Sequence, residues 1–154
     1  MTTKESFVRH QGFLDATPAA CTSRYPALMW QPRVFGVLVL IGLVVQSGPY
    51  FLVLATLLWW NALLPRLNPF DALYNRLVAR PKSLLQLGPA PGPRRFSQGM
   101  AGTFLLAIGL SLLFGRNTLA WVIEALLAAA LVALIFGRFC VGSHIFLLLT
   151  RGRS

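Results

Sequence analysis

Two long stretches without charge dominate the second half of the chain. Ser97–Phe114 contains no charged residue, and Thr118–Phe136 contains only Glu124. The Gly-Arg-Asn sequence between them, residues 115–117, is typical of a tight turn. An apolar helix of about 20 residues crosses the ~30 Å hydrocarbon core of a bilayer. The pattern therefore predicts two transmembrane helices joined as a hairpin.

A further uncharged stretch, Val34–Pro65, lies in the first half of the chain. One straight helix of this length would be much longer than the bilayer core is thick. The Gln-Ser-Gly-Pro sequence at residues 46–49 favours a turn near its middle. We therefore predict a second hairpin with the arms Pro32–Gln46 and Pro49–Leu64. Both arms are short, and a hairpin that enters the membrane without crossing it is the alternative.

The segment after this hairpin has the pattern of an amphipathic helix. Asn68 suits the N-cap and Pro69 the first helical position. Apolar residues then recur with helical spacing, at Phe70, Leu73, Tyr74, Leu77 and Val78. Arg76 and Arg80 lie off this stripe. The pattern predicts a helix over Pro69–Arg80 that lies on the membrane surface with its arginines toward lipid phosphates. Packing of the stripe on protein is the alternative.

Together these elements predict an all-α membrane protein with four transmembrane helices, arranged as two helical hairpins, and an amphipathic interfacial helix between them. The predicted segments are a cytoplasmic tail (1–31), a first hairpin (32–65), a cytoplasmic loop with the interfacial helix (66–96), a second hairpin (97–136) and an interfacial C-terminal segment (137–154). Phe139–Thr150 in the last segment is too short to span, so it either prolongs the fourth helix or bends at Gly142.

Composition and charge agree with a membrane protein and set its expected orientation. Hydrophobic residues make up 56% of the 154 residues and charged residues only 12%. Of the 14 Lys and Arg residues, only Arg116 lies in a predicted hairpin turn. Positive charge stays on the cytoplasmic side, so we expect both termini and the long loop to be cytoplasmic in a bacterial inner membrane. The net charge of +10 is explained in the same way, and nucleic acid is not an expected partner.

Small residues recur at every fourth position of the fourth predicted helix: Ala125, Ala129, Ala133 and Gly137. Such a row lets another backbone approach closely, as membrane helices require. Gly102 and Gly109 in the third helix form a candidate counter-face. Packing within this bundle is one interpretation, and a docking face for another subunit is the other.

Three polar residues are candidates for chemistry. Glu124 is the only acid inside a predicted span, about 9 Å below the surface at 1.5 Å per residue, and could handle a proton or ligand. Cys140 and His144 are four apart, which supplies two metal ligands at most. His144 is a candidate axial ligand for a haem or chlorophyll-type pigment, with a histidine bonded to backbone or lipid as the alternative. No cofactor, metal site or catalytic set is predicted.

The stretch from Pro93-Arg94-Arg95-Phe96-Ser97-Gln98 to Phe139-Cys140-Val141-Gly142-Ser143 resembles a bacterial family of small integral membrane proteins known as a domain of unknown function, DUF4395. The family shows a Pro-Arg-x-Phe entry, two apolar hairpins and a closing Phe-Cys-x-Gly-Cys. Here Ser143 stands where the family has its second cysteine. The two cysteines of the family's closing motif imply thiol exchange. That implication is weakened for this chain, because Cys140 alone cannot form the internal disulfide.

These observations predict a non-catalytic accessory subunit, not an enzyme, that packs against a larger membrane complex, such as a respiratory or photosynthetic one. Membrane lipids and other integral membrane subunits are the expected partners. The arginines expected at lipid headgroups are Arg76, Arg80, Arg94 and Arg95. The alternative is a small transport or thiol-linked protein that uses Glu124 or Cys140. An enzyme acting on lipid has only the Phe70–Arg80 surface in its favour.

Overall fold

The computed structural model describes residues 3–84 and 86–152, and the regular structure in these residues is entirely helical. The all-α prediction is therefore confirmed. Seven α-helices, one 3-10 turn and one π-helical turn follow in chain order: α1 (Thr3–His10), α2 (Pro18–Val45), α3 (Gly48–Leu63), the 3-10 turn (Pro65–Leu67), α4 (Pro69–Tyr74), the π turn (Asn75–Ala79), α5 (Gly92–Leu113), α6 (Asn117–Ile135) and α7 (Val141–Arg151).

Helix α2 begins well before the predicted first arm. Thr17 caps it by accepting a hydrogen bond from the Ala20 N–H, and Pro18 occupies the first turn. The described part of the predicted tail is thus largely helical. The reason is local packing: Phe7 and Val8 of α1 are buried against Cys21 of α2 and its neighbours. Such a small apolar cluster leaves little periodic signal in a polar segment.

Three helices, not four, are long and apolar enough to cross a membrane: α2, α5 and α6. Helix α3 is shorter, with 16 residues between its Ser47 cap and Leu64. At 1.5 Å per residue it extends about 24 Å, less than the ~30 Å hydrocarbon core. The prediction of four spanning helices is therefore corrected to three, and α3 is the helix that falls short.

The helices form two hairpins, α2–α3 and α5–α6, whose turns lie at the same end of the bundle. Gln46 in the first turn donates to the Glu124 carboxylate of α6 at 3.0 Å, and its side-chain oxygen accepts from the Trp121 indole at 3.1 Å. At the opposite end, the Arg95 side chain donates to the Ala62 carbonyl at 2.8 Å. We call the end with residues 46–47 and 114–116 the turn end, and the opposite end the loop end.

Helices α3 and α5 pack closely because glycines line their contact. A Cβ atom on Gly109 would lie 2.8 Å from the Leu52 side chain and 3.0 Å from the Gly48 carbonyl oxygen. A Cβ atom on Gly102 would lie 2.9 Å from the Trp59 indole. The 2.8 and 2.9 Å distances are shorter than real Cβ contacts, so a larger residue at either position would force Leu52 or Trp59 to move. The buried core beside this contact includes Phe51, Leu54, Leu105 and Ile108.

The predicted interfacial helix is interrupted. Asn68 caps α4 as expected, but α4 gives way to the π turn, in which the Arg80 N–H donates to the Asn75 carbonyl at 2.9 Å. The apolar stripe is also divided, and the division begins within α4, before the π turn. Phe70 and Tyr74 are buried on the protein, whereas Leu73 and Leu77 are 45% and 58% exposed. The single amphipathic helix over Pro69–Arg80 is thus corrected to two short segments, of which one part packs on protein.

The C-terminal segment neither prolongs α6 nor bends at Gly142. The residues between Gly137 and Cys140 are not helical, and Arg138 among them has a left-handed backbone (φ 53°). Helix α7 then begins at Val141. Gly142 is needed for packing instead. A Cβ atom there would lie 2.7 Å from the Ser97 side-chain oxygen, so glycine lets α7 lie directly on α5.

Candidate functional site

A buried ion pair lies at the loop end, between α4 and α5. Arg94 donates to both carboxylate oxygens of Asp71, at 2.7 and 2.8 Å, and each side chain is only 6% exposed. This two-point geometry is the strongest form of the arginine–carboxylate pair. The prediction that Arg94 contacts lipid headgroups is therefore corrected. Asp71 lies 23 residues before Arg94, and sequence spacing alone did not indicate their contact.

Two buried glutamines extend this pair into a network. The Gln31 side-chain oxygen accepts from Arg94 at 2.8 Å and from the Gln98 amide at 2.9 Å. The network thereby joins α2, α4 and α5. Arg94 and Gln98 are four residues apart and so share one face of α5, which is the only sequence signal that could have indicated the cluster.

A small cavity of about 90 Å³ lies next to this network. Its lining includes Arg94, Gln98, Gln31, Ser97 and Cys140. The Gln98 side-chain oxygen has no hydrogen-bond partner in the part of the chain that the structure describes. Most of the other lining residues are apolar. A cavity of this size is large enough for several water molecules, which are the usual partners of buried oxygens such as that of Gln98. The network is thus a polar centre with room for water.

Cys140 borders the same cavity and contacts two serines. The thiol lies 3.3 Å from the Ser97 oxygen and 3.4 Å from the Ser143 oxygen, and the two serine oxygens are 3.0 Å apart. Ser143 is fully buried, while Cys140 is half-buried. Ser143, which stands where the resemblance implies a second cysteine, therefore contacts the remaining thiol. Cys140 and Cys21 are both free thiols.

His144 lies one turn after Cys140, and its backbone N–H donates to the Cys140 carbonyl at 3.0 Å. Its ring lies 5.5 Å from the His10 ring and 5.0 Å from the Phe139 ring. The two histidines of the chain thus come together where α1 meets α7. Across residues 3–84 and 86–152, no group of three or more His, Cys, Asp or Glu residues is suited to hold a metal ion. Axial ligation by His144 stays a prediction.

Glu124 is buried, with 6% of its surface exposed, and both carboxylate oxygens accept from the Gln46 amide, at 3.1 and 3.0 Å. Gln46 ends α2 with a left-handed backbone (φ 52°), which directs the chain into the turn. The contact therefore ties the first hairpin turn to α6. This pairing could not be predicted from the sequence, because the two residues are 78 positions apart.

The row of small residues on α6 faces outward. Ala125 and Ala129 are exposed and Ala133 is half-buried. Gly137 is exposed too, but it lies beyond the end of α6 at Ile135, so the row on this helix is corrected to three residues. The buried side of α6 carries Ala120, Glu124 and Leu127 instead. One residue turns a helix by about 100°, so the row beginning at Ala125 points away from the side that contains Glu124. The expected counter-face is corrected as well, because Gly102 and Gly109 face α3.

The remaining arginines expected at headgroups are exposed. Arg76 lies in the π turn and Arg80 directly after it, and neither side chain has a hydrogen bond or ion pair within the described residues. Arg95 is also exposed, although its Nε donates to the Ala62 carbonyl. Contact of these three side chains with lipid stays a prediction.

Comparison with known proteins places the chain in a family without assigning it an activity. Residues 27–151 match the family model described as Domain of unknown function (DUF4395). No curated protein matches the chain. No solved structure matches it either. The family match covers α3 to α6 entirely, most of α2, and α7. The chain therefore belongs to the family described as Domain of unknown function (DUF4395).

Proposed function

We propose that this protein is a non-catalytic accessory subunit of a larger membrane protein complex, and that it binds its partner through the outward face of α6. The observation that carries the proposal is the outward-facing row of small residues on α6, in which Ala125 and Ala129 are exposed and Ala133 is half-buried. Three helices of sufficient length and apolarity support a location in the membrane.

Helix α6 is the long helix with the least cover from its own chain. Only Ala120, Glu124 and Leu127 are buried on it. Its exposed side carries the small-residue row, with Leu126 and Val132 beside that row at 57% and 55% exposure. Lipid is as apolar as leucine, so membrane helices associate where small residues allow close backbone approach. A transmembrane helix of another protein is the partner that this surface fits.

The buried polar groups support a structural role. Arg94 and Asp71 pair with each other, and Glu124 pairs with Gln46. Each pair joins elements that lie far apart in the chain. The alternative of transport through Glu124 would require this carboxylate to leave its partner and reach water. We therefore favour the accessory subunit.

The distribution of charge supports an orientation. Arg116 is the only cation in the two turns at the turn end. We propose that the loop end faces the cytoplasm of a bacterial cell and that the turn end faces the opposite side of the inner membrane.

Co-purification tests the subunit proposal. The tagged protein is extracted from its native membrane in a mild detergent, and mass spectrometry identifies what it retains. Ala129→Phe inserts a large side chain into the small-residue row, and Val44→Phe enlarges an 85% exposed residue of α2 as a control. We expect wild type and Val44→Phe to retain the same membrane protein and Ala129→Phe to lose it. Equal retention by Ala129→Phe, or a wild type that purifies alone, would overturn the proposal.

A further inference from the structure

A pocket of about 370 Å³ at the loop end has a wall rich in hydrogen-bond donors. It lies between the 3-10 turn, α4, the π turn and the connector that follows. Its polar lining consists of Arg66, Asn68, Asp71, Asn75, Arg76 and Arg80. The connector is fixed in place because the Asn75 amide donates to the Leu87 carbonyl at 2.9 Å and accepts from the Leu87 N–H at 2.7 Å. The pocket is thus formed before any ligand binds.

The available charge in this pocket is positive. Arg66, Arg76 and Arg80 are exposed, and none of their guanidinium groups has a hydrogen bond or ion pair within the described residues. Asp71 is the acid in the lining, and both of its oxygens already accept from Arg94. The pocket therefore presents three unpaired guanidinium groups and no free carboxylate.

Asn68 is a buried polar residue in the lining of this pocket. It is 2% exposed, and its Oδ1 accepts from the N–H groups of Phe70 and Asp71 at 3.0 and 3.2 Å. These two bonds fix which way the amide points, because only its oxygen can accept them. The Nδ2 donor then has no partner among the described residues. The Nδ2 atom is itself closed to solvent, so the donors that a ligand in this pocket can reach are the exposed guanidinium groups.

We propose that this pocket binds a phosphate group. The planar guanidinium offers two parallel N–H donors that match phosphate oxygens, and phosphate carries acceptors but no charge that the pocket would repel. Leu73 and Leu77, beside the pocket, are exposed and apolar. They suit the acyl region of a phospholipid whose headgroup is in the pocket. A soluble phosphate ester or inorganic phosphate offers the same chemistry. The site does not depend on the accessory role.

The test uses the full-length protein in an uncharged maltoside detergent without phosphate buffer. Three probes are titrated separately: dioleoyl phosphatidic acid, glycerol 3-phosphate and inorganic phosphate. The thermal unfolding midpoint is followed, because a ligand of the folded state raises it with concentration. The Arg76→Gln/Arg80→Gln variant removes two exposed, unpaired charges, so its unliganded midpoint should equal that of wild type. Arg33→Gln/Lys82→Gln removes the same charge from exposed residues outside the pocket and is the matched control.

We expect wild type to bind at least one probe saturably. The affinity should fall about tenfold or more in Arg76→Gln/Arg80→Gln, because each charge-assisted hydrogen bond is stronger than a neutral one. The affinity of the control variant should equal that of wild type. Saturation by phosphatidic acid alone identifies a lipid headgroup site, and saturation by the soluble probes identifies a site for free phosphate. Absence of saturable binding by all three probes would overturn the proposal. Equal affinity in the pocket variant and wild type, or equal weakening in the control, would also overturn it.

Discussion

Arg94 donates to both carboxylate oxygens of Asp71, and the pair is buried where α4 meets α5. Because Gln31 of α2 also accepts from Arg94, this contact attaches the loop between the hairpins to both of them. A carboxylate in a short connecting helix and an arginine at the start of a long apolar helix would each be costly to bury alone. Their mutual contact therefore favours the one arrangement of α4 against α5 in which both charges are paired.

Removing one partner of this pair should strongly destabilise the fold. Asp71→Ala leaves the Arg94 charge buried without its carboxylate, and we expect a loss of about 3–5 kcal/mol in the free energy of unfolding. Denaturant unfolding in detergent, followed by far-UV circular dichroism, measures the change. The double variant Asp71→Leu/Arg94→Met should recover much of the loss, because it leaves no unpaired charge. A single variant as stable as wild type would show that the pair does not hold the loop.

The glycine contact between α3 and α5 gives a second prediction. Gly109→Val would place side-chain atoms against Leu52 and the Gly48 carbonyl. Overpacking of this kind costs about 1–3 kcal/mol, and more where backbone must move. The control is Gly88→Ala, since a Cβ atom on Gly88 would meet nothing within 4 Å. Thermal unfolding in the same detergent should show a lower midpoint for Gly109→Val alone. Equal midpoints would mean that α3 and α5 are not in close contact.

The contact between Glu124 and Gln46 predicts how the turn end responds to substitution. Glu124→Ala removes this acceptor and leaves the half-buried Gln46 amide with only its bond to the Leu43 carbonyl, which should cost about 1 kcal/mol. Glu124→Gln keeps an acceptor oxygen and should cost less. Chemical unfolding compares the two variants with wild type. If both lower stability equally, the charge itself matters, and the interpretation of Glu124 as a hydrogen-bonded link between hairpins fails.

Cys140 gives a prediction that separates a structural thiol from a reactive one. Cys140→Ser keeps a hydrogen-bonding group next to Ser97 and Ser143, so we expect a change of less than about 1 kcal/mol in unfolding free energy. We also expect unchanged recovery of the partner in co-purification. Loss of a redox phenotype in cells that carry Cys140→Ser would favour the thiol-linked alternative instead.

Apolar segments, together with turn-forming and helix-capping residues, predicted much of this architecture. These features depend on local sequence and on which segments lie in an apolar environment. The turn at residues 46–49 and the cap at Asn68 follow directly from local chemistry. What the pattern missed depends on distant contacts. The helical start of α2 requires α1 to cover it, and a stripe that looks continuous in sequence is divided from within α4 onward. The site was missed for the same reason, since Asp71 and Arg94 form a buried ion pair only after the fold brings them together.

The most direct test concerns the placement of the two ends of the bundle in the membrane. In a background with Cys21→Ser and Cys140→Ser, single cysteines are introduced as Arg116→Cys at the turn end and Gly88→Cys at the loop end. Intact cells are treated with a membrane-impermeant maleimide, and lysed cells serve as the control for reactivity. We predict that Arg116→Cys is labelled in intact cells and that Gly88→Cys is labelled only after lysis. Labelling of Gly88→Cys in intact cells, or protection of Arg116→Cys until lysis, would contradict the proposed orientation.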